Sequence, residues 1–425
     1  MSTVILGAGI TGLSAGFRRR RMVCEQLDAS GGICASYYVD GNGGVPRPSG
    51  SRSSYRFEKG GGHWIFGSDP AVLTRIRSLS PVKTYRRKAS VFLPDLDCYI
   101  PYPLQNHLYL LPARLRAKVV DDLTKSSGNG VVKTMKDWLA ASFGKTLCEL
   151  FFFPFHESYT AGLYARIAPQ DAFKVPMDRA MILKGLKGKT PATGYNTTFI
   201  YPCKGLDHLI RQLESGCRLQ YQKQAVHLDL KKKRVLFQDG TDLGYTSLIS
   251  TLPLDVLVRI SGARKIPTPD PYTSVLVLNI GAARGRRCPD DHWVYVPQSR
   301  SGFHRVGFYS NIDRSFLPAT DRARERVSIY VEKAFLPGQR PDGNALSSQT
   351  QAIVNELISW GYIKDVEVVS PTWVEHGYTW QTPASAWRQE AISFLKGHDI
   401  SSIGRYGAWR FQGILESMKD GFNSG

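Results

Sequence analysis

The sequence predicts an α/β fold in which a parallel, helix-covered sheet is interrupted by a helical insertion and joined to an antiparallel sheet. Three observations predict it. The apolar run Val4-Ile5-Leu6 passes directly into Gly7-Ala8-Gly9-Ile10-Thr11-Gly12, a glycine-rich turn between a buried strand and a helix. From about Pro101 to Lys189 the apolar residues recur at three- and four-residue steps, as in Leu108, Leu111, Leu115 and Val119 and again in Met135, Trp138, Leu139 and Phe143. From Val275 to Ala334 they alternate instead, through segments at 275–280, 292–296, 303–309 and 327–334, the period of strands with one covered face.

Taken in order, the first unit is Rossmann-like. Gly7 permits the tight turn, Gly9 lets a pyrophosphate approach the backbone, and Gly12 lets the helix lie close to the strand. The spacing predicts a short helix over Leu13 to Arg21, ending in Arg18 to Arg21. Cations are favoured at a helix C-terminus, and these four read as a solvated helix end. The second strand, Met22-Val23-Cys24, ends in Glu25, a carboxylate placed to accept hydrogen bonds from ribose hydroxyls, and Gly31-Gly32 closes the unit. An acidic strand end followed six residues later by a glycine pair resembles FAD-binding chains more than NAD-binding ones.

The segment from Asp40 to Ser54, rich in Gly, Ser, Pro and Arg, reads as a mobile excursion before a strand at 55–58. In the helical block, Phe151-Phe152-Phe153-Pro154-Phe155 is too short to span a membrane and is read as core. Strands at 198–202, 226–230 and 247–251, with a helix from Leu206 to Leu213, return the chain to the nucleotide-binding sheet. Residues 403–411 then lead into a helix from Gln412 to Gly421. The expected partition is an FAD-binding domain in three parts (1–100, 196–255 and 386–425), a helical domain at 101–195 and a substrate-facing antiparallel sheet at 256–385.

Composition narrows the function. The chain has 425 residues, 42% hydrophobic and 21% charged, enough for full-sized cores, and no apolar stretch approaches the ~18 residues of a membrane span. The fingerprint strand stands at the start, which reads as a cytoplasmic protein. Seven cysteines lack CxxC or Cys/His zinc spacing and read as reduced thiols, with no metal site. The net charge of +19 is dispersed in short groups without a nucleic-acid module, so basic clefts for an anionic small substrate are favoured over specific nucleic-acid binding.

Several further motifs resemble the flavoprotein family of the UDP-galactopyranose mutases, with the related amine-oxidase and protoporphyrinogen-oxidase-like branch. Gly61-Gly62-His63-Trp64-Ile65-Phe66 is similar to the mutase Gly-Pro-His-Ile-Phe segment, which implies that His63 lies near the flavin. Tyr159-Thr160 followed by Tyr164 resembles the stretch that contacts the nucleotide sugar, with tyrosine in place of tryptophan; packing of a helix end is the competing reading. Lys174 to Arg179 resembles the Arg-x-Pro-x-Arg segment, one residue longer, which makes Arg179 the equivalent of a diphosphate-binding arginine. His304-Arg305-Val306-Gly307-Phe308 resembles the segment carrying the second such arginine, Arg305, for which a structural salt bridge is the alternative. Arg405-Tyr406-Gly407-Ala408-Trp409-Arg410 resembles the C-terminal segment whose first arginine contacts FAD, so that Arg405 is a cofactor residue and Trp409 and Phe411 line the substrate. Phe411 stands where the mutases carry a tyrosine, and Gly413 where they carry an acid; 201–205 and 250–254 look more like the oxidase branch.

The resemblance implies FAD as cofactor, a nucleoside-diphosphate sugar as substrate and a homodimer. The implied reaction is pyranose/furanose interconversion, with reduced flavin as nucleophile on the anomeric carbon and Arg179 and Arg305 holding the leaving diphosphate. The alternative is an FAD-dependent oxidase or dehydrogenase acting on a biosynthetic intermediate, and a third reading is a flavin-binding scaffold without turnover.

Overall fold

The structure, a computed structural model, describes residues 2–19, 21–41, 44–125, 131–170, 177–194, 196–319 and 325–424. Strand Ser2–Leu6 lies at the centre of the first sheet, parallel to Met22–Cys24 on one side and to Asp242–Ser250 on the other. Arg218–Gln220 and Ile400–Ser402 extend it in parallel, and Ala225–Asp229 and Arg234–Phe237 add an antiparallel edge. Three separated stretches of chain, 2–24, 218–250 and 400–402, therefore build one sheet. Val4, Ile5 and Leu6 are buried, as a strand covered on both faces requires.

The crossover helix is shorter than the sequence predicts. It spans Ile10–Gly16, because Phe17 leaves helical geometry and Arg18 turns to a φ of 54°. Of the arginines that follow, Arg20 lies outside the described residues, and Arg19 and Arg21 are engaged rather than only solvated. The Arg19 guanidinium donates to the carbonyls of Phe422 and Ser424, and Arg21 donates to those of Ala15 and Ser424, so both cap the end of helix Ile414–Asn423. That helix crosses the fingerprint helix at Gly421, where a Cβ would stand 2.3 Å from the Thr11 carbonyl oxygen.

The second sheet runs in the order Ile363–Thr379, Tyr272–Arg284, Arg326–Phe335, Arg305–Phe308, Trp293–Tyr295, Ala89–Leu93 and Cys98–Pro101. It is antiparallel except where Trp293–Tyr295 meets Ala89–Leu93 in parallel. The first hundred residues thus give two strands to this sheet, which the partition at 100 does not anticipate. Its 17-residue edge strand, Ile363–Thr379, was also not read from the sequence. Between the sheets lies an aromatic core in which Tyr55, Phe57, Tyr201, Tyr309 and Phe316 are fully buried, a term worth ~2 kcal/mol for each such side chain.

Within that core sits Glu58, fully buried, accepting hydrogen bonds from Ser36 Oγ at 3.0 Å and from the Tyr201 hydroxyl at 2.5 Å. Burial raises its carboxyl to about 7, against the opposing pull of Arg56. The excursion at 40–54 is tied down by one carboxylate: Asp40 accepts from Ser51 and Ser54 at 3.0 and 2.6 Å and pairs with Arg47. The helical block comprises helices Ala113–Lys125, Met135–Leu147, Phe153–Tyr159 and Arg179–Lys187, with Phe151 and Phe152 in its core. No described helix is long and apolar enough to cross a membrane.

Candidate active site

The fingerprint turn is built around two close approaches. Gly7 adopts a φ of 93°, which disfavours any L side chain, and a Cβ at Gly12 would stand 1.9 Å from the Gly7 carbonyl oxygen. Gly9, by contrast, opens onto space, with nothing within 4 Å of where its Cβ would be. The Gly31 amide donates to the Ala8 carbonyl at 2.8 Å, which locks Gly31-Gly32 beside the turn. Glu25 ends its strand with both oxygens engaged, accepting from the Ala8 amide at 2.7 Å and the Leu27 amide at 3.0 Å.

From this turn a cavity of about 680 Å3 runs to the face of the antiparallel sheet. Gly7, Gly9, Glu25, Gly31 and Gly32 line one part of it; His63, Arg305, Arg405 and Phe411 line others, so nine of the residues singled out in the sequence meet in one space. The His63 ring is held by a 3.2 Å contact between Nδ1 and the Gly61 carbonyl. Burial, with a smaller contribution from the Arg405 charge, lowers its pKa to about 4, so it is neutral at ordinary pH. Gly62 is required beside it because a Cβ there would overlap the Tyr330 hydroxyl, at 2.0 Å.

Arg405 reaches across the cavity wall, donating to the Gly377 carbonyl at 3.0 Å and the Gln412 carbonyl at 2.9 Å. Its guanidinium lies 5.2 Å from the Tyr378 ring centre and 4.8 Å from that of Phe411. The departure at Phe411 thus has a structural counterpart: the ring is a face for Arg405.

Arg305 stands directly opposite Glu332 on the neighbouring strand, and its Nη2 donates to both Glu332 oxygens at 2.5 Å. Burial alone would raise the Glu332 carboxyl, but the Arg305 charge and His304 bring it down to about 2. The arrangement is the structural salt bridge that the sequence left open, and it neutralises the cation expected to face a diphosphate. Arg305 Nε is buried without a partner among the described residues, as are Trp293 Nε1 and Gln412 Oε1 in the same cavity lining. These orphaned groups are hydrogen-bonding positions for a polar ligand.

Four predicted site residues lie elsewhere. Arg179 opens helix Arg179–Lys187 and donates to the Leu123 carbonyl at 2.7 Å, outside the cavity lining; residues 174–176 of its motif lie outside the described residues. Tyr159 packs behind the wall, 4.7 Å from Tyr378 and 5.3 Å from His304 between ring centres. Tyr164 is buried in the helical core. Trp409 is buried against Trp387, its Nε1 donating to the Trp380 carbonyl at 3.0 Å. Tyr164 and Trp409 belong to hydrophobic cores, and Tyr159 packs half-buried against the same core as Tyr164. All seven cysteines are free thiols, and no metal-binding cluster occurs among the described residues.

The cavity also takes residues that the sequence did not flag: Tyr330, Glu332 and Tyr378. Tyr330 and Glu332 sit two apart on one strand, hence on one face. A carboxylate within the buried run 327–332 was the available signal.

No family model matches the chain. Superposition over 99% of this chain and 94% of the other gives a TM-score of 0.82 with the crystal structure of reduced UDP-galactopyranose mutase, at 22% identity. The likeness is one of fold. The same fold extends, at TM-score 0.72 and 14% identity, to a protein from Exiguobacterium sp. 255-15 assigned as a protoporphyrinogen oxidase, with 99% and 97% of the two chains covered. It extends at TM-score 0.60 and 12% identity to putrescine oxidase bound to putrescine, with 100% and 97% covered. The fingerprint sheet, helical block and antiparallel sheet of this chain are thus the fold shared by these three proteins.

Proposed function

We propose that this protein is an FAD-dependent enzyme acting as a nucleotide-sugar pyranose/furanose mutase. The observation that carries the reading is the continuity of the cavity from the glycine fingerprint to the polar, aromatic face of the antiparallel sheet. The donor set fits FAD: an open approach at Gly9, a close-packed Gly7 and Gly12, Glu25 at the strand end, and Arg405 with neutral His63 further along. The bound flavin supplies the redox-dependent nucleophile.

The chain's own residues orient and enclose. Tyr330, Tyr378 and Trp293 offer ring faces and hydrogen-bonding edges to a hydroxyl-rich sugar. Arg305 retains an unpartnered Nε toward the cavity lining while Glu332 fixes its plane. Neutral His63 presents an imidazole, not a competing cation, at the pH of the cell.

A second reading, oxidation of a biosynthetic intermediate, is favoured by one observation: Arg305 is already paired, and Phe411 lacks a hydroxyl, so the anion clamp is weaker than a diphosphate leaving group asks for. Titration of dithionite-reduced protein with a panel of nucleotide sugars, followed by flavin spectrum and product chromatography, separates the two. Isomerised sugar formed with reduced flavin alone supports the mutase; acceptor reduction on turnover, with no nucleotide sugar bound, supports the oxidase.

A further inference from the structure

Two walls of the cavity spring from one end of a small antiparallel ribbon, formed by Ser36–Asp40 and Ser54–Glu58. Gly31 to Cys34 line the cavity just before the ribbon starts, and Gly60 and His63 line it just after the ribbon ends. The walls stay joined beyond the ribbon. The Lys59 amide donates to the Ala35 carbonyl at 2.9 Å, and the Gly60 amide to the Ile33 carbonyl at 3.0 Å. Gly60 has no room for a side chain, since a Cβ there would stand 2.5 Å from His63 Cε1 and 2.8 Å from the Ile33 carbonyl oxygen. A shift at this end of the ribbon therefore reaches both walls.

Glu58 occupies that end. It lies opposite Ser36 across the ribbon and on the same face as Arg56, two positions earlier. Ser36 Oγ donates to one carboxylate oxygen and the Tyr201 hydroxyl to the other, while the Glu58 carbonyl accepts from the Gly61 amide, Asn279 Nδ2 and the Tyr309 hydroxyl. The charged and titratable groups around the carboxyl come from five elements. They are Arg56, which is buried and donates to the Tyr201 hydroxyl at 3.4 Å; Asp207, which accepts from Tyr38 and Arg211; the hydroxyls of Tyr201 and Tyr309; and the Cys34 thiol.

The ionised carboxylate accepts both hydroxyl protons and balances the Arg56 charge. Once protonated, one of its oxygens must donate, so Ser36 or Tyr201 has to turn round, and charge-assisted bonds about twice as strong as neutral ones are lost. Of the groups around it, Arg56 then keeps Asp207 alone as a countercharge.

We propose that Glu58 is a positioning residue for the cofactor: its carboxylate, when ionised, holds the 31–34 and 60–63 walls in the flavin-binding arrangement, and a proton on it loosens their grip. The proposal rests on the FAD reading. Burial places the Glu58 carboxyl at about 7, so the change of state falls between pH 8 and 6, a window in which His63, at about 4, stays neutral. Flavin binding favours the ionised form, and affinity therefore falls as pH falls through that window.

The test is the dissociation constant for FAD, read from the fluorescence of flavin released on dilution of the holoenzyme between pH 8 and 6. One coupled proton raises it by up to about tenfold over this range. Glu58→Gln keeps the shape but cannot ionise, and its profile should be flat. Tyr201→Phe removes a hydrogen bond that lowers the Glu58 carboxyl, so its profile should keep the slope and move to higher pH. That displacement also decides the matter if Glu58→Gln does not fold. No flavin binding at any pH overturns the proposal together with the FAD reading. Flavin bound tightly with a constant that changes less than about twofold, a slope that survives in Glu58→Gln, or an unmoved midpoint in Tyr201→Phe overturns the proposal alone.

Discussion

Arg305 and Glu332 face each other across adjacent antiparallel strands, with Glu332 almost fully buried and Arg305 22% exposed in its side chain. The pair is one cross-strand unit in the wall of the cavity, where its charges cancel. Removing one partner leaves the other charge in a low-dielectric site, which costs more than the pair itself contributes.

Glu332→Gln should therefore destabilise the protein by about 3 kcal/mol, read as a fall in thermal midpoint. The double variant Arg305→Met/Glu332→Leu should recover most of that loss. A double variant as unstable as the single one would show that the ion pair is not the source.

Gly12→Ala should abolish flavin retention, because the added methyl would stand 1.9 Å from the Gly7 carbonyl oxygen and force the turn open. Flavin absorbance per protein after gel filtration measures it, and we expect at least about a tenfold loss, equivalent to ~1.4 kcal/mol. Normal flavin content would remove the fingerprint from the cofactor site.

Arg405→Lys should also reduce flavin content, since an ammonium cannot span the Gly377 and Gln412 carbonyls while lying over the Phe411 ring. Retention of both flavin content and thermal midpoint would argue against Arg405 as an organiser of the cavity.

Stability should fall on acidification from pH 6.5 toward 4. Burial lowers His63, His156 and His292 each from 6.5 to about 4, so in that window the unfolded chain binds the extra protons and folding loses free energy as pH drops. Glu58 opposes them: its native carboxyl, raised by burial from 4.5 to about 7, holds a proton that the unfolded chain has released. Three groups outweigh one, and the thermal midpoint should drop by about 5 °C or more across the window. A flat or rising midpoint would refute this balance.

The sequence disclosed the fingerprint unit because its requirements are local. Gly7, Gly12, Glu25 and Gly31 are all dictated by backbone geometry within one strand-turn-helix-strand unit, and a regular spacing records it. Most strands of the antiparallel sheet were legible from alternation. The edge strand Ile363–Thr379 was not, since register shifts interrupt its pairing and Lys364, Asp365, Glu367 and His376 fall on both parities, which erases the alternation. The cavity wall was half legible. Arg305 was visible by motif, but its partner Glu332 is 27 positions away, and strand register alone brings them together. Arg179 failed for the opposite reason: its motif matched, while the helix it begins turns it toward Leu123. Trp409 sits among glycines and arginines in sequence, and only the packing of Trp387 explains where its ring goes.

The clasp between Arg19 and the Phe422 carbonyl spans 403 positions, and Gly421 seats its helix directly on the fingerprint helix. A chain emerging from the ribosome therefore makes its fingerprint turn about four hundred positions before the packing surface for that turn. During synthesis the fingerprint helix, only seven residues long, has no such partner to hold it. The proposed cofactor site should therefore mature only once that surface has arrived, and a nascent chain lacking residues 404–423 should be a poor trap for flavin.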